Sequence, residues 1–122
     1  MRMSVRALRG ATQLTADDPV EMADAVVELL REMLERNGLT VDDLISIIFT
    51  ATPDLTSEFP AAAARTVGLG DVPLLCAQEI DVAGAVPRVV RVMAHAESWR
   101  ARGEIVHVYL RGAEILRRDL AQ

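Results

Sequence analysis

All 13 basic side chains of this 122-residue chain are arginine, and lysine is absent. Arginine presents a planar fork of N–H donors that stays charged and matches a carboxylate at two points. Arg9, Arg65, Arg91 and Arg117 each stand beside a glycine, an apolar strand or an apolar helix face. Any one of them alone reads as a solvated surface group. Several converging from different elements would hold a small polyanion. Other chemistry is thinner. Cys76 and Glu79 at the end of a strand have the look of a nucleophile and a base, but a lone cysteine in an apolar strand is commonly a packing residue. His95 and His107 lack metal-ligand spacing, so no metal site is expected. Gly68-Leu69-Gly70 lacks the lysine and the serine or threonine of a phosphate loop.

The elements that must position these groups follow from punctuation and period. Residues 3–12 read as a first strand. Asp18 is a natural N-cap, Pro19 fits the first helical position and Glu21 follows three residues after the cap. Val20, Ala23, Val27, Leu30 and Leu34 then repeat at helical spacing until Asn37-Gly38 closes the helix. Thr40 with Asp43 signals one short turn. Residues 44–52 form an almost continuous apolar run and read as a central strand covered on both faces. A short alanine-rich helix lies within residues 56–68, with Pro60 in its first turn, and residues 73–79 read as a third strand. Gly84 and Pro87 are expected to open a second long helix that runs to about residue 99. On that helix Arg88, Arg91 and His95 share one face opposite Val86, Val89, Val90 and Met93, which leaves Arg91 at a rim or in a cleft. Residues 105–116 read as a β-hairpin turning at Arg111-Gly112. The fold class is α/β (α+β): a mixed sheet packed with helices in a single domain, residues 1–122.

Composition narrows the function classes. Hydrophobic residues make up 51% and aromatics only 3%, so the core rests on Val, Ile, Leu and Ala. A net charge of −5 without a basic stripe speaks against nucleic acid. One cysteine gives no disulfide framework. The residues after Met1 carry Arg2, Arg6 and Arg9 and no apolar signal core, and the longest apolar run is too short for a bilayer. The expected location is the cytoplasm, with no membrane partner. On these grounds alone the chain reads as a soluble α/β domain whose arginines could form an anion site.

Several segments, taken in order, resemble the monofunctional chorismate mutases of the trimeric pseudo-α/β-barrel type. They are Arg6-Ala-Leu-Arg9-Gly-Ala-Thr12, Ala51-Thr-Pro-Asp-Leu55, Phe59-Pro-Ala61, Cys76-Ala-Gln-Glu79, Arg91-Val-Met93 and His107-Val-Tyr109-Leu with Leu116-Arg117. Order and spacing hold over roughly residues 4–120. The resemblance implies a homotrimer with active sites at subunit interfaces, an isomerase of aromatic amino acid biosynthesis, and conversion of chorismate to prephenate by an intramolecular Claisen rearrangement. It implies no cofactor, no covalent intermediate and no proton transfer. Carried over by residue, Arg91 faces the breaking ether oxygen and Glu79 accepts from the substrate hydroxyl. Arg9 and Tyr109 hold carboxylate, Cys76 sits near the hydroxyl, and Phe59 and Ala61 form an apolar wall. Arg65 and Arg117 are outer basic residues and Leu116 is a wall position.

The chain departs from the family pattern at three places. Ala62 and Leu75 stand where some members carry lysine and threonine, and Arg118 replaces a frequent proline. Leu75 is retained as a substrate-binding candidate by position, and the tail after Arg117 is expected to give only a short cover. A trimer that merely bound a small carboxylate would dispense with Arg91 or Glu79, and a deaminase-like trimer would need a water-activating pair; the sequence has the first two and lacks the last.

Overall fold

The computed structural model describes residues 2–117. Strand β1 (Ser4–Gln13) leads to helix α1 (Pro19–Arg36), a 3-10 turn (Val41–Asp43) and strand β2 (Leu44–Ala51). Helix α2 (Pro60–Thr66), strand β3 (Leu74–Gln78) and strand β4 (Val89–Ser98) follow, then a 3-10 turn (Arg102–Glu104), strand β5 (Val108–Leu110) and a final 3-10 segment (Ala113–Arg117). The five strands form one mixed sheet in the order β3-β2-β4-β1-β5. β2 pairs parallel with β3, β1 pairs parallel with β5, and β4 lies antiparallel between the two pairs.

Both helices pack on one face. Leu8, Ile47, Phe49, Val90, Val92, Ala94 and Ala96 of the sheet share a core with Met22, Val26, Leu29 and Met33 of α1 and Ala61, Ala63 and Ala64 of α2. The packing is close enough that a Cβ on Gly10 would lie 2.5 Å from Met33 Sδ. Alternation puts the intervening residues on the other face: Ala7, Arg9 and Ala11 of β1, Ser46, Ile48 and Thr50 of β2, Leu75 and Ala77 of β3, and Arg91, Met93 and His95 of β4. That face carries no helix.

Three expectations are corrected. Residues 89–98 are a strand, not part of a long helix. Val90, Val92, Ala94, Ala96 and Ser98 are buried while Arg91, Met93, His95 and Glu97 are not, a period of two. Its apolar residues also fit a helical template, but β-branched valines and two free strand edges settle the matter. Arg88 therefore does not share a helix face with Arg91 and His95. It lies in a turn with φ +54°, its backbone N–H donating to Asp54 Oδ2 at 3.0 Å and its Nε to the Leu14 carbonyl at 3.0 Å. Second, residues 105–116 form no hairpin. β5 pairs parallel with β1, and Arg111 and Gly112, at φ +55° and +95°, turn the chain into a 3-10 segment. Third, β2 is covered on one face within the chain, since Ile47 and Phe49 are buried and Ile45 and Ile48 are exposed.

The α1 boundaries follow the capping signals. Asp18 Oδ2 accepts from the Glu21 N–H at 2.8 Å, and Pro19 opens the helix. Glu21 reaches back past the cap to the Thr15 N–H and hydroxyl. At the other end Asn37, 2% exposed, ties the helix to the segment before β5. Its Nδ2 donates to the carbonyls of Met33 and Val106 at 2.8 and 2.9 Å, and its Oδ1 accepts from the Val106 N–H at 2.8 Å. Asn37→Ala leaves these buried groups unpartnered and is expected to lower stability by about 2–4 kcal/mol, measured by urea denaturation.

Candidate active site

The register of β4 builds the site. Arg91 pairs across the sheet with Thr50 of β2 and with Ala11 of β1, so its side chain rises from the middle of the helix-free face. Glu79 follows directly after β3 and is held by its backbone N–H to the Ala51 carbonyl at 2.9 Å. Arg91 Nε donates to Glu79 Oε1 and Oε2 at 3.2 and 3.1 Å. The Thr50 hydroxyl donates to Oε2 at 2.7 Å. Glu79 is the more buried partner, with 16% side-chain exposure against 47% for Arg91. A carboxylate fixed by a hydroxyl and a guanidinium is a rigid acceptor. Nε alone is spent on Glu79; among the described residues the two terminal amino groups of Arg91 meet no protein acceptor and remain as donors.

Arg91 lines a cavity of about 250 Å³ together with Thr50, Ile48, Met93, Arg9, Tyr109 and Arg117. Arg9 enters from β1 and Tyr109 from β5, next to each other because Tyr109 is the strand partner of Ala11. Tyr109 is buried against Ala11, Val89 and Ala113, with Leu116 packed on the same cluster. The beginning of β4 is anchored by the segment of residues 52–54. Thr52 Oγ1 accepts from the Val89 N–H at 3.0 Å and donates to Asp54, which accepts from Arg88.

The residues singled out in the sequence thus fall into two groups. Arg9, Glu79, Arg91, Tyr109 and Arg117 meet around one cavity, with Leu116 behind Tyr109. Phe59 and Cys76 line a second cavity, of about 340 Å³, at the C-terminal end of β3. Ala61 is buried in the first turn of α2, whereas Arg65 is exposed in its last. The two cavities share no lining residue. Cys76 is the strand partner of Phe49 and packs on the helix-side core, while Leu75, 62% exposed, lies on the open face. Arg118 lies outside the described residues.

Two residues of this region were not singled out. Thr50 is one; the signal was Ser46 and Thr50 as the two polar interruptions of an apolar strand, four apart and so on one face. His107 is the other. Its Nδ1 accepts from the Arg9 backbone N–H at 3.0 Å. Burial, and then the charges of Arg9 and Arg117, hold its pKa below the usual 6.5.

Comparison with known proteins points one way. Residues 5–120 match the family "Chorismate mutase type I". The chain is 48% identical over 117 residues to "Chorismate mutase AroH" of Thermus thermophilus, covering 95% of this chain and 96% of that one. It is 37% identical over 120 residues to "Chorismate mutase AroH" of Bacillus subtilis (strain 168), covering 98% and 94%. Its fold superimposes on a solved chorismate mutase from Clostridium thermocellum with a TM-score of 0.88 at 46% identity, covering 89% of this chain and 97% of that one.

Thr50→Val keeps the side-chain shape and removes one of the donors that hold Glu79. The thermal midpoint is expected to stay within a few degrees of the parent, while turnover falls about three- to tenfold. Steady-state kinetics and a melting curve on the same preparation check both.

Proposed function

We propose, for a chain that belongs to the chorismate mutase type I family and is an isomerase turning chorismate into prephenate on the way to phenylalanine and tyrosine, that the Arg91–Glu79 pair is its catalytic centre. The observation that carries this is the guanidinium of Arg91: locked through Nε, with its two terminal amino groups turned to no acceptor of the described chain.

The rearrangement breaks an ether C–O bond and forms a C–C bond in one cyclic movement of electrons. No nucleophile, base or redox group is required. Negative charge grows on the ether oxygen as the bond stretches, and a donor already fixed there favours the transition state over the bound substrate. Arg91 supplies that donor. Glu79 holds Arg91 in plane and accepts from the ring hydroxyl of the substrate. Arg9 and Tyr109 bind carboxylate, Arg117 adds charge at the outer edge, and together they hold the flexible side chain of the substrate over its ring. Cys76 is a contact near the hydroxyl and no nucleophile.

The working form is a homotrimer in the cytoplasm, each site shared between two subunits. Two features support this. Val5, Ile48 and Leu75, exposed by 57%, 37% and 62%, lie on the sheet face that no helix covers, and exposed apolar surface of this kind marks an interface. The wall residues Phe59 and Ala61, with Arg65 and Cys76, lie apart from the arginine-lined cavity in one chain. A neighbouring subunit can bring its own set against that cavity.

The direct test mixes the purified protein with chorismate and follows the loss of ultraviolet absorbance. Arg91→Ala is expected to lower turnover by about 10²–10³ with little change in thermal midpoint, and Arg91→Lys to recover only part, since lysine keeps the charge and loses the planar fork. Turnover of Arg91→Ala within about threefold of the parent refutes the assignment.

A second expectation concerns assembly. Light scattering at micromolar protein should report three chains per particle. A fully active monomer would refute the shared-site arrangement.

A further inference from the structure

We propose that His107 is a positioning residue for Arg9, and that its uncharged Nε2–H form sets the affinity of the site for the substrate carboxylates. The inference rests on the reading of Arg9 as a carboxylate holder.

The geometry is specific. β5 begins pairing with β1 at Gly10 and Val108, so the Arg9 N–H lies one residue before the ladder. Instead of a strand carbonyl it finds His107 Nδ1 at 3.0 Å. A ring nitrogen can accept only when it carries no proton, so this contact requires neutral imidazole with the proton on Nε2. The bond fastens the start of β5 to β1 at the point from which Arg9 and Tyr109 project into the catalytic cavity. His107 belongs to the described wall of a neighbouring cavity that also contains Arg9, and it is half-buried.

Among the described residues, the charged and titratable groups that line a cavity with His107 are basic. Arg6 and Arg9 come from β1, His95 from β4 and Arg102 from the turn before β5; these line the same cavity. Arg117, from the C-terminal 3-10 segment, also acts on it. Among the described residues no carboxylate lines that cavity. A proton on His107 would remove the acceptor for the Arg9 N–H and set a further positive charge near the guanidiniums of Arg9 and Arg117. The folded chain therefore takes up this proton at a lower pH than the unfolded chain, and stability contributed by neutral His107 is lost as pH falls below 6.5.

Position and charge predict opposite signs for binding. If His107 acted through charge alone, its protonation would attract a dicarboxylate and lower KM. If it acts by holding Arg9, protonation lets the β1–β5 junction slacken and KM rises. Turnover depends on Arg91, which sits on another strand, and should change little.

The experiment uses the intact protein with chorismate, whose carboxyl groups stay ionised above about pH 5. Arg9→Ala at about pH 7.5 comes first and should raise KM; an unchanged KM ends the carboxylate reading of Arg9 and the role of His107 with it. In the parent, KM should rise about three- to tenfold from about pH 7.5 to about pH 5, with kcat moving less than about twofold. His107→Asn, whose Oδ1 can take the place of Nδ1, should rescue a low KM and abolish the pH dependence. His107→Leu should show the raised KM at both pH values. If KM of the parent falls in acid, or His107→Leu binds like the parent, the positioning role is overturned while that of Arg9 stands. Imidazole ¹⁵N shifts of the parent give a readout independent of any variant's folding: the Nε2–H form is expected, and the Nδ1–H form refutes the proposal.

Discussion

The placement of β4 between β2 and β1 governs this molecule. An antiparallel strand inserted between two parallel pairs carries Arg91 to the centre of the sheet, with Thr50 on one side and Ala11 on the other. Glu79 then arrives beside Arg91 because β3 runs parallel to β2 and ends level with Ala51. Arg9 and Tyr109 arrive on the opposite flank because β5 pairs parallel with β1. Four groups from four strands converge without a long loop, and a sheet holds them with less freedom than loops allow. The clamp of Thr52, Asp54 and Arg88 fixes where β4 starts, and a slip of one residue would send Arg91 into the helix-side core.

The sheet has two faces with different duties. Small residues on the helix side, Gly10 above all, let α1 approach until Met33 fills the space over β1. That closeness is hydrophobic burial without direction and can be supplied by Val, Ile, Leu and Ala alone. The open face alternates apolar residues with Arg9, Arg91 and His95. No α-helix covers that face, and its apolar residues Val5, Ile48 and Leu75 are exposed.

Much of the framework was legible in the residues. Asp18-Pro19 and Asn37-Gly38 marked both ends of α1, and Leu44–Ala51 and Leu74–Gln78 emerge where apolar runs of strand length stood. β4 was not legible, because Val86, Val89, Val90 and Met93 recur at helical spacing while Val90, Val92, Ala94 and Ala96 recur at strand spacing, and only the vacancy between β1 and β2 decides between them. The hairpin failed for a related reason: Arg111-Gly112 is a turn, but a parallel partner for β5 cannot be seen locally. The ordered resemblance nevertheless selected Arg9, Glu79, Arg91, Tyr109 and Arg117, which the fold gathers around one cavity. Thr50 and His107 escaped because each acts on a chosen residue through a single hydrogen bond, and spacing along the chain does not encode such pairs.

Charge balance gives a reason for the particular mixture of groups. Among the described residues Arg9, Arg91 and Arg117 bring three guanidiniums to the cavity, and Glu79, bonded to Arg91, brings one carboxylate. Chorismate brings two carboxylates, which suit this excess of positive charge. Neutrality matters more as water leaves, since an uncompensated charge in a closed pocket is costly. A lysine in place of any of these arginines would preserve the total and lose the fork. A proton on His107 would add to that positive charge and remove the acceptor of the Arg9 N–H. Arg91 meets Glu79 through Nε, and Glu79 is itself held by the Thr50 hydroxyl, so this edge of the guanidinium is fixed. On the proposed reading, the excess of positive charge serves binding and the fixed direction of one guanidinium serves the rate.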